Sequence, residues 1–138
     1  VVTRYLIDTS VWVNIFRGDL ESKERLAQCT SNGNSILMCE PIAMELIAGA
    51  RKHEISQIMV LIDSLASEPF DSLQDFRSAG VIRRELAWSG ISVKSVVDCM
   101  IAATAMGAID IVVVHNDSDF EQIASKFELR QERWNLVA

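Results

Sequence analysis

Five carboxylates, Asp8, Glu45, Asp98, Asp117 and Asp119, stand where a chain of this pattern gathers negative charge. Asp8 follows the strand-like run Arg4-Tyr5-Leu6-Ile7. Asp117 and Asp119 follow the apolar run Ile111-Val112-Val113-Val114, and Glu45 and Asp98 fall early in two helical stretches. In open α/β sheets, ligand sites form beyond the carboxyl ends of the strands. Acids converging there repel one another unless a cation neutralises them. Hard oxygen ligands suit Mg²⁺ or Mn²⁺, so the chemistry indicated is that of phosphates.

Each acid taken alone also fits an ordinary structural role. Asp8 is a good helix cap or turn residue. Glu45 sits about one turn into its helix, where the helix dipole favours an acid. Its flanks, Ile42-Ala43-Met44 and Leu46-Ile47-Ala48, are wholly apolar, and a carboxylate among them needs a partner or a cation. Ser95-Val96-Val97-Asp98 has capping-box spacing, yet the uncharged run Cys99 to Met106 behind it makes Asp98 the only acid of a buried-looking helix. Asp117-Ser118-Asp119 is a common turn pattern and lacks the remaining ligands of an EF-hand. The conjunction of all five, in this order and in these flanks, carries the metal reading.

The elements that position them alternate. Tyr5–Ile7, Ser35–Met38 and Ile111–Val114 read as buried strands, with Glu68-Pro69-Phe70 as a short edge strand and Glu128–Gln131 as a last one. Helices are expected from Val11 to Phe16 capped by Ser10, and from Leu20 to Cys29. Pro41 suits the first position of a third, running to about Ala48, with Glu40 before it in a capping role. Further helices are expected over His53–Leu65, Leu73–Trp88, Val96–Met106 and Phe120–Lys126. Such alternation predicts a three-layer α/β/α sandwich around a mainly parallel sheet of four or five strands. Residues 1–138 read as a single domain.

Apolar residues make up 49% of the chain and charged ones 23%, which excludes a disordered segment. The apolar stretch from Met100 to Ile109 is too short to span a bilayer, and no signal peptide is visible. Three cysteines without Cys-x-x-Cys spacing fit free thiols in a reducing cytoplasm. The net charge is −6, of which the five candidate acids supply −5, leaving −1 elsewhere. Acidity therefore says little against a nucleic-acid partner, although it argues against a broad basic face. Arg17, Arg51, Lys52, Arg83 and Arg84 are candidates for phosphate contacts.

Four pieces in order carry a family resemblance. They are Leu6-Ile7-Asp8-Thr9-Ser10-Val11-Trp12, Glu45-Leu46-Ile47-Ala48-Gly49, Val97-Asp98-Cys99-Met100-Ile101-Ala102-Ala103-Thr104-Ala105 and Val114-His115-Asn116-Asp117-Ser118-Asp119-Phe120-Glu121-Gln122-Ile123-Ala124. Together they resemble the PIN domain, a metal-dependent nuclease fold, and within it the bacterial VapC-type ribonuclease toxins. The resemblance implies that Asp8, Glu45 and Asp98 are core acids, with Asp117 a fourth and Asp119 beside it. The division of labour between those two stays open. Thr9 or Ser10 matches the family's small hydroxyl position. A small antitoxin wrapping the toxin, a homodimer and an RNA substrate are further implications.

On these residues the expected reaction is metal-dependent phosphodiester hydrolysis, with RNA as the substrate that the resemblance implies. One cation would sit at Asp8 and Asp98 and a second nearer Glu45 and Asp117, about 3.5–4 Å apart as in two-metal nucleases. His115 reads as a packing or hydrogen-bonding residue rather than a base. A receiver-type phosphoacceptor would want paired acids after the first strand and a lysine near the last. A haloacid-dehalogenase-type phosphatase would want Asp-x-Asp where this chain has Asp8-Thr9-Ser10. The alternative of another class is a non-catalytic RNA- or protein-binding module on the same fold.

Overall fold

The computed structural model describes residues 2–134. β1 (Arg4–Ile7) leads into α1 (Thr9–Phe16) and α2 (Leu20–Ser31). β2 (Ser35–Met38) leads into α3 (Glu40–Ala48) and α4 (Ile55–Ser64), and β3 (Ala66–Ser67) into α5 (Asp75–Trp88) and α6 (Val96–Met106). β4 (Ile111–His115), α7 (Ser118–Ala124) and β5 (Gln131–Arg133) complete the order. All strand pairs are parallel, in the order β3-β2-β1-β4-β5. Parallel neighbours need long crossovers, which the helices supply.

Both faces of the sheet are covered. Successive side chains on a strand point to opposite faces, yet Leu6 and Ile7 are both fully buried, as are Val113 and Val114. Only a layer of helices on each side achieves that. The chain steps outward from β1 to β2 and β3, then returns to place β4 on the other flank of β1. The reversal makes the β1–β4 boundary the topological switch point, where ligand crevices open in such sheets. Leu6 lies opposite Val113 and Ile7 opposite Val114. The ladder continues one residue further, with the Asp8 N–H donating to the Val114 carbonyl at 2.8 Å, so Asp8 sits at the mouth of that crevice.

Several boundaries differ from the sequence reading. Asp8, not Ser10, caps α1, because its carboxylate accepts from the Ser10 N–H. Cys39 occupies the cap position of α3, and Glu40 and Pro41 are its first two residues, which leaves Glu40 exposed rather than capping. The edge strand is Ala66–Ser67 and not Glu68–Phe70. Its ladder ends where the Glu68 N–H donates to the Met38 carbonyl, and Pro69 has no N–H to extend it. The last strand pairs over Gln131–Arg133, later than Glu128–Gln131, since Arg133 is the residue in register with His115. α7 starts two residues earlier than expected, at Ser118, because Asp117 caps it.

All three cysteines are free thiols. Burial pushes Cys39 up to about 12 and Cys99 up to about 11, so both are inert packing groups. No helix among the described residues is long and apolar enough to cross a membrane.

Candidate metal centre

The first strand delivers Asp8, and the start of α1 fixes it. Its Oδ2 accepts from the Ser10 N–H at 3.1 Å and the Ser10 hydroxyl at 2.6 Å. The same hydroxyl accepts from the Asn116 N–H at 3.0 Å. Ser10 thus ties the acid after β1 to the turn after β4 across the switch point. The other Asp8 oxygen, Oδ1, is buried with no partner.

α3 brings in Glu45. Its Oε1 accepts from the Thr9 hydroxyl at 3.0 Å, so the two neighbouring hydroxyls hold two different acids. α6, capped by Ser95, presents Asp98 from its first turn. That residue is 4% exposed, and its Oδ2 has no partner.

The β4–α7 turn supplies the last two. Asp117 caps α7 by accepting from the Asp119 N–H at 3.0 Å. Asp119 is fully buried. Its Oδ2 accepts from the backbone N–H groups of Lys94 and Ser95 at 2.9 and 3.2 Å, while its Oδ1 is unpartnered. His115 lies buried beneath this turn. Its Nδ1 accepts from the Asp117 N–H at 3.1 Å, which places the ring proton on Nε2, 2.6 Å from Gln131 Oε1. With both nitrogens engaged, His115 holds the turn and has no nitrogen left to act as a base.

The five acids form two overlapping groups. Asp8, Glu45 and Asp98 each offer an oxygen within 4.8 Å of the others, and so do Asp98, Asp117 and Asp119. Asp98 is common to both. Glu45 therefore groups with Asp8 and Asp98, and Asp117 with Asp98 and Asp119, while the charge of Asp117 still reaches Glu45.

The electrostatics are those of crowded acid. Burial, then the charges of Asp8 and Asp117 and a contact with Asp119, push the Asp98 carboxyl up to about 9. Burial also raises Asp8, against the hydrogen bonds from Ser10 and Thr9. It raises Glu45 too, opposed by Thr9 and reinforced by Asp8 and Asp117. Buried polar atoms are nearly always paired. Among the described residues, Asp8 Oδ1, Asp98 Oδ2 and Asp119 Oδ1 are exceptions, and all three are hard carboxyl oxygens belonging to the two acid groups. A divalent cation is the ligand that such a donor set fits.

Sequence reasoning missed the frame around these acids. Neither the Ser10 bridge to Asn116, the grip of Asp119 on Lys94 and Ser95, nor the His115–Gln131 pair leaves a local pattern. Each joins segments distant in sequence. Of the candidate phosphate contacts, Arg17 lines a cleft of about 200 Å³ shared with Thr9 and Glu45.

With this geometry in view, the chain can be compared with known proteins. The PIN domain family matches residues 5–126. The chain is 40% identical over 124 residues to the VapC ribonuclease Mb1587 of Mycobacterium bovis, covering 86% of this chain and 90% of that protein. Ribonuclease VapC11 of Mycobacterium tuberculosis matches with the same identity and coverage. Among solved structures, DNA-bound VapBC from Salmonella typhimurium aligns with a TM-score of 0.75 at 30% identity, over 97% of this chain and all of that one. VapBC2 from Rickettsia felis, bound to a DNA fragment from its promoter, has a TM-score of 0.77 at 20% identity, over 96% of this chain and 100% of that one, a likeness of fold. The chain belongs to the PIN domain family and, within it, to the VapC ribonucleases.

Proposed function

We propose that this chain is a divalent-metal-dependent endoribonuclease that hydrolyses RNA phosphodiester bonds, and that it is the toxin of a toxin–antitoxin pair. The observation that carries the catalytic part is the set of unpartnered, buried carboxylate oxygens on Asp8, Asp98 and Asp119. They come from three separate elements to the switch point of the sheet. Membership among the VapC ribonucleases supports RNA as the substrate. The fit to a VapBC complex supports a small antitoxin as the partner.

Asp8, Glu45 and Asp98 would hold one cation, and Asp98, Asp117 and Asp119 a second. Mg²⁺ is the natural occupant and Mn²⁺ a substitute. Bound there, a divalent cation supplies Lewis-acid polarisation of phosphoryl oxygens and a lowered water pKa. The chain's own work is placement. Ser10 aims Asp8 and locks it to the β4–α7 turn, and Thr9 orients Glu45. Asp119 fixes the entry to α6 and hence Asp98. Asp8, Asp98 and Asp119 are themselves buried, so bulk water is largely kept from them.

The test is cleavage of total cellular RNA by purified protein with Mg²⁺, with Mn²⁺ and with chelator, beside Asp98→Asn. Discrete metal-dependent fragments that vanish in the variant are expected. Absence of both cleavage and Mn²⁺ binding would overturn the enzyme reading and leave a binding module.

A further inference from the structure

The three tryptophans are placed very differently. Trp12 and Trp134 are 2% and 1% exposed, but Trp88 at the end of α5 is 73% exposed. A large aromatic left in water forgoes the burial that normally fixes its position. Trp88 is nevertheless oriented, because Arg84, one turn earlier, lays its guanidinium over the ring at 4.8 Å from the centroid. One ring face is backed by a cation and the other is open.

The end of α5 that carries this pair is joined by a short connection to α6, which carries Asp98. α5 and α6 run antiparallel, with Asp75, Ser78 and Ile82 of α5 facing Ala103 and Met106 of α6 and its cap Gly107 around a cleft at the far end. The end of α5 therefore lies beside the start of α6, where Asp98 is. The connection between them is short and fixed at both ends. Gly90, with φ of 78°, lets the chain turn back so that the Ile91 N–H donates to the Leu86 carbonyl at 2.8 Å. At the other end Asp119 grips Lys94 and Ser95. Arg83 and Lys94 are exposed on this edge and make no ion pair among the described residues, while Arg84 has only a surface pair with Glu85 at 3.1 Å. On a chain of net charge −6, Arg83, Arg84 and Lys94 are three exposed cations on the stretch of chain that leads into the Asp98 helix.

We propose that Trp88 and Arg84 form a stacking platform for an unpaired base of single-stranded RNA, with Arg83 and Lys94 meeting the flanking phosphates. The proposal rests on the ribonuclease reading and names residues outside the acid cluster through which the RNA would be held. An exposed aromatic face flanked by cations is the combination that single-stranded nucleic acid recognises, since every base has a face to stack and every linkage a charge. A duplex keeps its base faces covered by its own stacking.

The test uses the full chain in chelator, so that binding is read without cleavage. A mixed-sequence single-stranded RNA of about 12 nucleotides, within the usual span of such grooves, is titrated against tryptophan fluorescence and anisotropy. Trp88 is the exposed fluorophore, so quenching on binding is expected with the single strand and not with a duplex of the same sequence. Trp88→Ala should weaken binding on the order of 10-fold or more, and Trp88→Phe should retain most of it. Arg83→Gln and Lys94→Gln should each flatten the salt dependence of binding. In the metal-loaded protein, Trp88→Ala should raise KM more than it lowers kcat.

If wild type cleaves RNA while Trp88→Ala binds and cleaves as well as wild type, the platform is refuted and the ribonuclease reading stands. If that variant instead converts a dimer to a monomer in sedimentation without changing RNA affinity, the face belongs to a second copy of the chain and the proposal is equally refuted. If wild type neither binds nor cleaves RNA under any metal, both readings fall.

Discussion

The carboxylate of Asp119 holds the backbone N–H of Lys94 at 2.9 Å across 25 positions of sequence. One oxygen of this acid is spent on the loop before α6, and the other lies buried and unpartnered beside Asp98. Asp117 uses an oxygen to cap α7 and stays half-exposed. The two acids of the Asp-x-Asp pattern therefore differ in kind, and substitution can separate them.

Asp119→Asn keeps an oxygen that can accept from Lys94 and Ser95 but loses the charge. It should fold with a melting temperature near wild type and bind Mn²⁺ at least 10-fold more weakly, the scale seen for groups around a metal. Asp119→Ala loses the acceptor as well and should destabilise by about 1–3 kcal/mol for the stranded N–H groups. Calorimetry of Mn²⁺ binding beside denaturant melts checks both. Equal stability of the two variants would show that the loop does not depend on this grip.

Asp98 belongs to both acid groups, so its loss should be the most damaging. Asp98→Asn is expected to lower ribonuclease activity by at least about 100-fold, because even the supporting groups around a metal cost 10- to 100-fold. In chelator at low salt the same variant should melt higher than wild type, since it removes an acid that folding must either keep protonated or hold against its neighbours' charge. A lower melting temperature would mean that the acids do not share a field.

The pH dependence follows from the same crowding. With only protein groups around it, the Asp98 carboxyl stands near 9 against an ordinary 3.8, and Asp8 and Glu45 are raised as well. The unfolded chain thus ionises these groups first as pH rises. Their contribution to stability is complete below about pH 4 and is lost progressively toward about pH 9. Chelated protein at low salt should show a melting temperature that falls over the upper part of this range. Added Mn²⁺ should reverse the trend, because the cation displaces the proton from Asp98, and Mn²⁺ affinity should rise with pH. A flat profile in chelator would contradict the cluster.

Ser10 is the cheapest place to loosen the site without touching an acid. Ser10→Ala removes the donor to Asp8 and the acceptor of the Asn116 N–H together. A loss of about 1–3 kcal/mol in stability is expected, with weakened Mn²⁺ binding. Ser10→Thr keeps the hydroxyl and should restore both. Failure of threonine to rescue would point to packing rather than the bridge.

Much of this was legible in the sequence because the strongest signals are local. Ile111–Val114 and Tyr5–Ile7 are short apolar runs ending in acid, and Val96–Met106 is an uncharged helix with one carboxylate in its first turn. The short edges were less legible. β3 has two residues and β5 three, too few for periodicity, and their positions are set by where Met38 and His115 present free backbone groups. The helix caps misled for a related reason. Asp8 and Ser10 are both good caps, and which one caps α1 is decided by the ladder bond from Asp8 to Val114, which no local pattern contains. That bond, the Ser10–Asn116 bridge and the Asp119 grip are long-range facts, and they separate a row of acids from a site.

The order of the acids along the chain bears on how such an activity switches on. Asp8 precedes the other four acids along the chain, but its bridging neighbour Ser10 finds Asn116 only after more than a hundred further residues. The second acid group is closed by Asp119. A nascent chain emerging from the ribosome therefore carries most of the apolar core well before it carries a complete ligand set. For a protein that cuts RNA, the molecule synthesising it stays out of reach of a finished active site until the β4–α7 turn has folded.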